Sequence, residues 1–182
     1  MAFNPDVLSA YAEQGDPEKP LPVEDWNPPA CGNIDMRIAR DGTWFHDGAP
    51  ILKPALVRLF SRLLRKDDDG YVLVTPAEKV AIAVEDVPFI AVTMSERDGA
   101  LVFRTNVGDI VTADAEHPLR FESDADGAFI PYIRVRGGLD ARLSQGLARD
   151  LASRIQTEGD TMGIHSGNSF FTISDPHPVF EP

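Results

Sequence analysis

From Tyr71 to Val135 the chain is a succession of short apolar and β-branched stretches, and this succession constrains the fold more than any other feature. Residues 71–75 and 79–85 are two such stretches, separated by Pro76. Residues 89–94, 101–104, 110–112, 119–122 and 129–135 follow at short spacing, with Arg97-Asp98-Gly99 as a turn. Short strands with close turns between them predict small antiparallel sheets.

Upstream, Ile34-Asp35-Met36-Arg37-Ile38 alternates apolar and polar residues, the period of a strand. Asp41-Gly42 and Asp47-Gly48 follow, each a hairpin signal because both central residues of such a turn need positive φ. Residues 43–46 form the strand between them, and the meander ends near Ile51. Residues 54–66 are predicted as a helix: Ala55, Leu56, Leu59, Phe60, Leu63 and Leu64 make one apolar face, and Pro54 suits the first turn. Arg58, Arg62, Arg65 and Lys66 fall on its other side or at its end, where cations complement the dipole. A second, longer helix is predicted from Leu139 to Glu158, because Leu139, Leu143, Leu147, Leu151 and Ile155 repeat every four residues, flanked by Ala148 and Ala152. Met162 to His165 and Phe170 to Ile173 close the chain as a hairpin turning at Ser166-Gly167-Asn168.

Before the first strand, residues 4–13 read as a short helix. Pro17, Pro20, Pro22, Pro28 and Pro29 then exclude both helix and central strand. The stretch reads as an extended strap anchored by Trp26, with Leu21 and Val23 also available for burial. The division expected is therefore 1–33 for helix and strap, 34–86 for a first α+β half, and 87–182 for a second.

The 182 residues carry 29 acidic and 17 basic side chains, a formal charge of -12, which as a whole repels nucleic acid and anionic membrane. A single cysteine, Cys31, excludes a disulfide scaffold within the chain. The N-terminus has no basic stretch followed by an apolar one, and no run is long enough to span a bilayer, so a cytoplasmic location is expected.

Trp44-Phe45-His46-Asp47-Gly48 and Gly163-Ile164-His165-Ser166-Gly167 share a pattern of apolar residue, His, small polar residue and Gly, each beside one predicted helix. This suggests a duplication. Larger blocks resemble a known family. Ile34-Asp35-Met36-Arg37-Ile38, Asp41-Gly42-Thr43-Trp44, Gly48 and Pro50-Ile51 resemble its opening, and residues 71–80 with Val84-Glu85-Asp86-Val87-Pro88-Phe89 its centre. Phe103-Arg104-Thr105-Asn106 and Val135-Arg136-Gly137-Gly138-Leu139 resemble its later blocks. The chain is identified by these residues as a member of the bacterial group called domain of unknown function 1285. The resemblance implies a duplicated core, and the paired hairpins and two predicted helices give an α+β fold in which each half pairs a small antiparallel sheet with one long helix. It also implies a C-terminal half similar to a pleckstrin-homology-like barrel. It implies a ligand, a nucleotide among the candidates, held between the halves in a signalling role, with no reaction attached. One departure is that the family often carries an aromatic pair in the long helix, where this chain has Gly146-Leu147-Ala148-Arg149.

Five groups of residues are candidates for chemistry. Arg134 and Arg136 alternate onto one strand face, and Gly137-Gly138 would open a helix with unpaired N–H groups, together an anion site. The competing reading makes the glycines a sharp turn and pairs Asp140 with an arginine. Arg104-Thr105-Asn106 ends a strand with three hydrogen-bonding groups. Trp44 could stack on a base, or pack within the protein. Glu85 and Asp86 at a strand end could serve a metal or act as a base, or cap a turn and pair with an arginine. His46, His117, His165 and His177 do not occur at metal-ligand spacing, Cys31 reads as a loop thiol, and there is no P-loop or G-x-S-x-G.

The reading these residues support is a binding module for a small anionic ligand, with a regulatory or signalling role and no bound metal or cofactor. Arg136, Arg134, Gly138, Arg104, Thr105, Asn106, Trp44 and Glu85 are its candidate binding residues. The alternatives are a metal-assisted hydrolase using Glu85 or Asp86, and an adaptor that presents a sheet edge to a protein partner.

Overall fold

The computed structural model describes residues 21–173. The predicted helix at 4–13 lies outside them. The chain divides between Pro88 and Phe89 into two compact units. Sheet dominates both, within an α+β chain.

In the N-terminal unit, β1 (Ala30–Ile38), β2 (Trp44–His46) and β3 (Ala49–Pro50) form one meander. Helix α1 (Pro54–Leu63) follows, and then β4 (Leu64–Asp67), β5 (Gly70–Val74) and β6 (Lys79–Val84) form a second meander. They make one six-stranded sheet in the order β3-β2-β1-β6-β5-β4, antiparallel except for the central pair β1 and β6. The two Asp-Gly pairs behave differently. Asp47 and Gly48 both have positive φ (48° and 74°), as a two-residue hairpin between His46 and Ala49 requires. At the first pair only Gly42 is left-handed (φ 83°), because residues 39–43 form a longer connection in which the Asp41 carboxylate accepts the Thr43 N–H at 2.9 Å.

The first helix stops three residues before its predicted end. At Leu64 the backbone turns extended, and residues 64–66 enter β4. Leu63 and Leu64 are both fully buried, so helical periodicity alone could not separate helix from strand there. Arg65 is the residue that needs the strand. It is buried rather than solvated: its Nη1 donates to the carbonyls of Val23 (2.8 Å) and Trp26 (2.6 Å), and its Nε donates to Asp67 at 2.6 Å. The proline-rich strap is thus held by its backbone carbonyls and by Val23, 6% exposed, while Trp26 is only half-buried. Strand β1 also begins earlier than expected, at Ala30, where its first residues are exposed.

The C-terminal unit contains β7 (Phe89–Arg97), β8 (Ala100–Thr105), β9 (Ile110–Thr112), β10 (Leu119–Ser123), β11 (Phe129–Arg136) and β12 (Leu139–Leu143). Its six-stranded sheet has the order β10-β11-β12-β7-β8-β9, again antiparallel except for the central pair, β12 and β7. Helix α2 (Gln145–Ala152) comes next, packing on β7, β11 and β12. A three-stranded sheet of β13 (Gln156–Glu158), β14 (Thr161–Ser166) and β15 (Ser169–Thr172) ends the unit.

The predicted helix from Leu139 to Glu158 is the main correction. Residues 139–143 are a central strand, only eight residues are helical, and residues 156–158 are strand again. A four-residue repeat is also an even spacing, so Leu139 and Leu143 suit one face of a strand as well as one face of a helix. Ala141 between them completes the alternation, and all three are buried. Gly137 and Gly138 both have positive φ (47° and 75°) and make the two-residue turn joining β11 to β12. The units therefore pair sheets with short helices, not long ones.

The closing hairpin turns at Gly167 and Asn168, as predicted, with Ser166 opposite Ser169. Ser166 ties it to the large sheet, donating to the Ala113 carbonyl (2.7 Å) and accepting from the Leu101 N–H (2.8 Å). Among the described residues, no helix is long and apolar enough to cross a membrane.

Two predictions follow from this packing. A Cβ at Gly163 would lie 2.5 Å from both the Phe170 ring and the Phe171 carbonyl, whereas one at Gly146 would meet nothing within 4 Å. Gly163→Ala is expected to cost about 1–3 kcal/mol through overpacking, and Gly146→Ala to be neutral or stabilising by up to ~1 kcal/mol; urea denaturation measures both. The second concerns Asp67, whose carboxyl is held below its ordinary value of 3.8 by the hydrogen bond from Arg65, with Lys79 adding to it and burial opposing both. A carboxyl depressed in the folded state stabilises the fold fully above its unfolded pKa, and that contribution is lost as pH falls through the lower folded value. Unfolding free energy should accordingly fall below pH ~4 more steeply in the native protein than in Asp67→Asn, measured by denaturant titration across the acid range.

Candidate functional site

The arginine-glycine segment was expected to place two guanidinium groups on one face beside a helix start. A bulge in β11 changes this. Arg134 lies opposite Asp140 and Arg136 opposite Leu139, with a register shift between them. Asp140 and Leu139 are adjacent in β12 and point to opposite faces, so the two arginines do as well. Each finds a carboxylate: Arg134 Nε donates to Asp140 at 2.5 Å, and Arg136 Nε donates to Asp109 at 3.1 Å. Arg136 also lies over the Phe89 ring, 5.1 Å from its centroid, with 20% of its side chain exposed. Gly138 is a turn residue, and no helix starts there. The competing reading, a sharp turn with Asp140 paired to an arginine, describes the arrangement found.

Asp140 is the hub of that face. It is 6% exposed and also accepts from Arg120 Nε at 3.0 Å. Burial works against the charged form of Arg120. The hydrogen bond and charge of Asp140, with Glu122 and Tyr132 in support, outweigh it and raise the guanidinium pKa. Arg120 stacks 3.8 Å from the centroid of Tyr132 and also contacts Glu122.

The other predicted residues are dispersed. Thr105 Oγ1 accepts the Asp109 N–H at 3.0 Å and closes the β8–β9 turn. Asn106 pairs with Ile90 through both its side-chain oxygen (3.0 Å) and its backbone N–H (2.8 Å). Arg104 is exposed. Trp44 is 1% exposed and stacks on Phe60 at 6.3 Å, so it cannot receive a base; its Nε1 is buried and, among the described residues, without a hydrogen-bond partner. Glu85 accepts the Arg40 backbone N–H at 3.0 Å and pairs with Arg37, and these two contacts, the backbone one first, lower its pKa. It is a strand-end carboxylate capping a turn. Among the described residues, no group of three or more His, Cys, Asp or Glu could hold a metal.

The geometry brings other residues together, at the junction between β12 and α2. A cavity of about 230 Å³ opens there. Its apolar wall is Phe129, Pro131, Leu143 and Ala148, and its polar groups are Arg142, Gln145 and Asp124. Asp124 Oδ1 accepts the N–H groups of Asp126 (3.0 Å) and Ala128 (2.9 Å), so part of its charge is spent on the β10–β11 turn. Ser144 precedes α2 with no side-chain cap, and the first turn of the helix has no acidic residue to offset its dipole. Arg142 and Gln145 were concealed by the helix predicted over them. The alternation Leu139, Ala141, Leu143 after a Gly-Gly turn is the signal that could have revealed a strand ending at this point.

A six-stranded curled sheet in each of two units, with one short helix apiece, defines the structural class. Residues 21–87 match the N-terminal domain, and residues 88–173 the C-terminal domain, of the family described as a protein of unknown function, DUF1285. The chain belongs to this family. It is similar to a DUF1285 family protein from Silicibacter pomeroyi DSS-3, with 43% identity over 95% of this chain and 96% of that one, and a TM-score of 0.84. It is similar at 25% identity to a DUF1285 family protein from Shewanella baltica OS155, over 65% of this chain and 90% of that one, with a TM-score of 0.54. No curated protein matches.

Asp140 provides the test of the arginine network. Asp140→Ala leaves two half-exposed guanidinium groups without their shared carboxylate and is expected to destabilise by about 2 kcal/mol. Arg134→Ala, which removes a side chain that is 40% exposed, should cost less. Thermal and urea denaturation of the two variants check the order.

Proposed function

We propose that the protein is a binding module for a small anionic ligand, regulatory rather than catalytic in role, with its site in the C-terminal unit. The observation that carries this reading is the cavity between β12 and α2. It brings a guanidinium, a side-chain amide and an uncapped helix start together, with Phe129 and Ala148 beside them. Convergent polar groups of this kind fix the orientation of small ligands, and a guanidinium beside a helix start favours an anion. The reading moves the anion site from Arg134 and Arg136, which are matched to Asp140 and Asp109, to Arg142. The hydrolase alternative is weakened by the commitment of Glu85 to Arg37 and Arg40.

The proposal includes a duplicated core. Its support is that β3-β2-β1-β6-β5-β4 and β9-β8-β7-β12-β11-β10 are the same order of two meanders joined by a parallel central pair. The helix falls between the meanders in the first unit and after both in the second. Six strands followed by one helix is also the succession on which a pleckstrin-homology-like C-terminal unit rests. One observation favours the adaptor reading instead: Ile110, at the start of edge strand β9, is 68% exposed.

A thermal-shift screen against small anions tests the proposal. A ligand bound by the native state alone raises the midpoint in a saturable way. Loss of the charge-assisted contact in Arg142→Gln should weaken binding by about 1.5–3 kcal/mol, roughly ten- to a hundredfold. Arg58→Ala, on the exposed side of α1, should change it little. Equal losses in both variants, or no saturable shift with any anion, would remove the cavity as the site and leave the adaptor reading.

A further inference from the structure

Strand β9 is one edge of the C-terminal sheet, and its outer side is open. The Thr105 N–H donates to the Asp109 carbonyl at 2.9 Å, and the Ala113 N–H to the Leu101 carbonyl at 2.8 Å, so Asp109 and Ala113 turn their backbone groups toward β8. Alternate residues of an antiparallel ladder do this, and Val111 is the next in the series. The N–H and C=O groups of Ile110 and Thr112 therefore point away from the sheet. Folded proteins guard edges with charge, proline, a covering segment or short length. Here β3 carries Pro50, the strap lies against β4, and β10 carries Arg120 and Glu122. Strand β9 is guarded by its length of three residues alone, which are Ile-Val-Thr.

The face beside this edge differs from the rest of so acidic a chain. Register pairing places Arg104 between Thr93 and Ile110 in one row across β7, β8 and β9, with Val102 between Ser95 and Thr112 in the next, and Arg97 beyond. The alternate residues Leu101, Phe103 and Val111 are buried, so these rows form the outward face. It holds two arginines and no carboxylate, in a chain with 29 acids against 17 bases. Glu96 stands opposite buried Leu101, on the other face, and pairs with Arg154 at 2.8 Å. Asp109 accepts from Arg136, which lies over the Phe89 ring. Arg97 and Arg104 are exposed and, among the described residues, form no ion pair, unlike the strand arginines that serve Asp67, Asp109 and Asp140. Three large apolar side chains stand exposed among the described residues, and two of them are here: Ile110 at 68%, and Val92 at 45% in the β7 bulge beside Arg104.

We infer that the open edge of β9 docks an extended acidic segment of a partner protein, which adds to the sheet as a further strand. The segment's backbone pairs with the free N–H and C=O groups of Ile110 and Thr112, and its alternate side chains meet Ile110 on the outward face. Acidic side chains of the segment reach Arg104. The added strand lies two strand spacings, about 10 Å, from β8, a gap that a glutamate and an arginine span between them. Ladder pairing requires a peptide backbone, which separates this occupant from a nucleic acid. Charge complementarity selects an acidic peptide, and on a chain of charge -12 the acid-free face restricts where it can dock. None of these residues lines the β12–α2 cavity, so the inference stands apart from the binding reading above.

The test begins with selection of a random heptapeptide display library on the full-length protein. Enriched peptides are then titrated into isotope-labelled protein and followed by backbone amide chemical shifts. The expected peptides are acidic, and they shift the Ile110 and Thr112 amides in a saturable way. Arg104→Glu should weaken binding at least about tenfold, whereas Arg58→Glu, the same change of charge on the exposed side of α1, should alter it less than about twofold. Thr112→Pro removes an N–H that the sheet does not use, so the protein should stay folded by its spectrum while binding is lost. Enriched peptides that are neutral or basic, or that bind Thr112→Pro as they bind the native protein, would overturn the inference. So would equal losses in Arg104→Glu and Arg58→Glu, or a library that yields no enriched peptide.

Discussion

In each six-stranded sheet the two middle strands run parallel, β1 beside β6 and β12 beside β7, and the rest of that sheet's architecture follows from it. Antiparallel neighbours can be joined by a tight turn; parallel neighbours need a long connection. Each unit meets the requirement by leaving the centre through one antiparallel meander and returning through another. The first strand of one meander and the last strand of the other are therefore central, and the remaining ends, β3 with β4 and β9 with β10, are the edges. Central strands have neighbours on both sides, so β12 buries Asp140 along with Leu139, Ala141 and Leu143. Where β12 ends, the Ser144 N–H donates to the Ala91 carbonyl of β7, and the chain leaves the sheet for α2. The junction cavity lies at that departure, the point where sheet gives way to helix.

A buried carboxylate in a central strand has to be matched, and cations are scarce in a chain with 17 of them against 29 acids. The matches are consistent across both units. Arg134 and Arg120 serve Asp140, Arg136 serves Asp109, Arg65 and Lys79 serve Asp67, and Arg37 serves Glu85. Arg65 has the further task of holding two carbonyls of the strap. In so acidic a protein a basic residue within a strand is first a structural counter-ion. For that reason the most conspicuous arginines in the sequence, Arg134 and Arg136, are each paired with a carboxylate within the fold.

Local chemistry was legible in the sequence at two of the hairpin turns, though not at Asp41-Gly42, where only the glycine is left-handed. Asp47, Gly48 and Gly167 take up left-handed backbone, and hairpins form at both turns. The strand succession from Tyr71 onward was legible for a similar reason, since β-branched runs between turns admit little else. What sequence pattern could not decide was any repeat that suits two periods. Leu139 and Leu143 satisfied the helix and the strand together, and the error hid both the Gly137-Gly138 turn and the cavity beyond it. Nor does alternation foresee a bulge, which is set by pairing with the neighbouring strand; one extra residue in β11 was enough to separate Arg134 from Arg136. The burial of Trp44 against Phe60 is equally a matter of tertiary packing, which no local pattern around residue 44 encodes.

The small residues at the start of α2 connect these points. Gly146 and Ala148 stand where the family resemblance led to the expectation of an aromatic pair, and Ala148 is part of the cavity wall. A glycine and an alanine add little side-chain volume, so the space between the helix and the end of β12 stays open at this point. An aromatic ring at the Ala148 position would occupy much of a volume this size. Glycine in the first turn also costs helix stability. That is consistent with α2 being only eight residues long and having Leu151 as its single fully buried side chain.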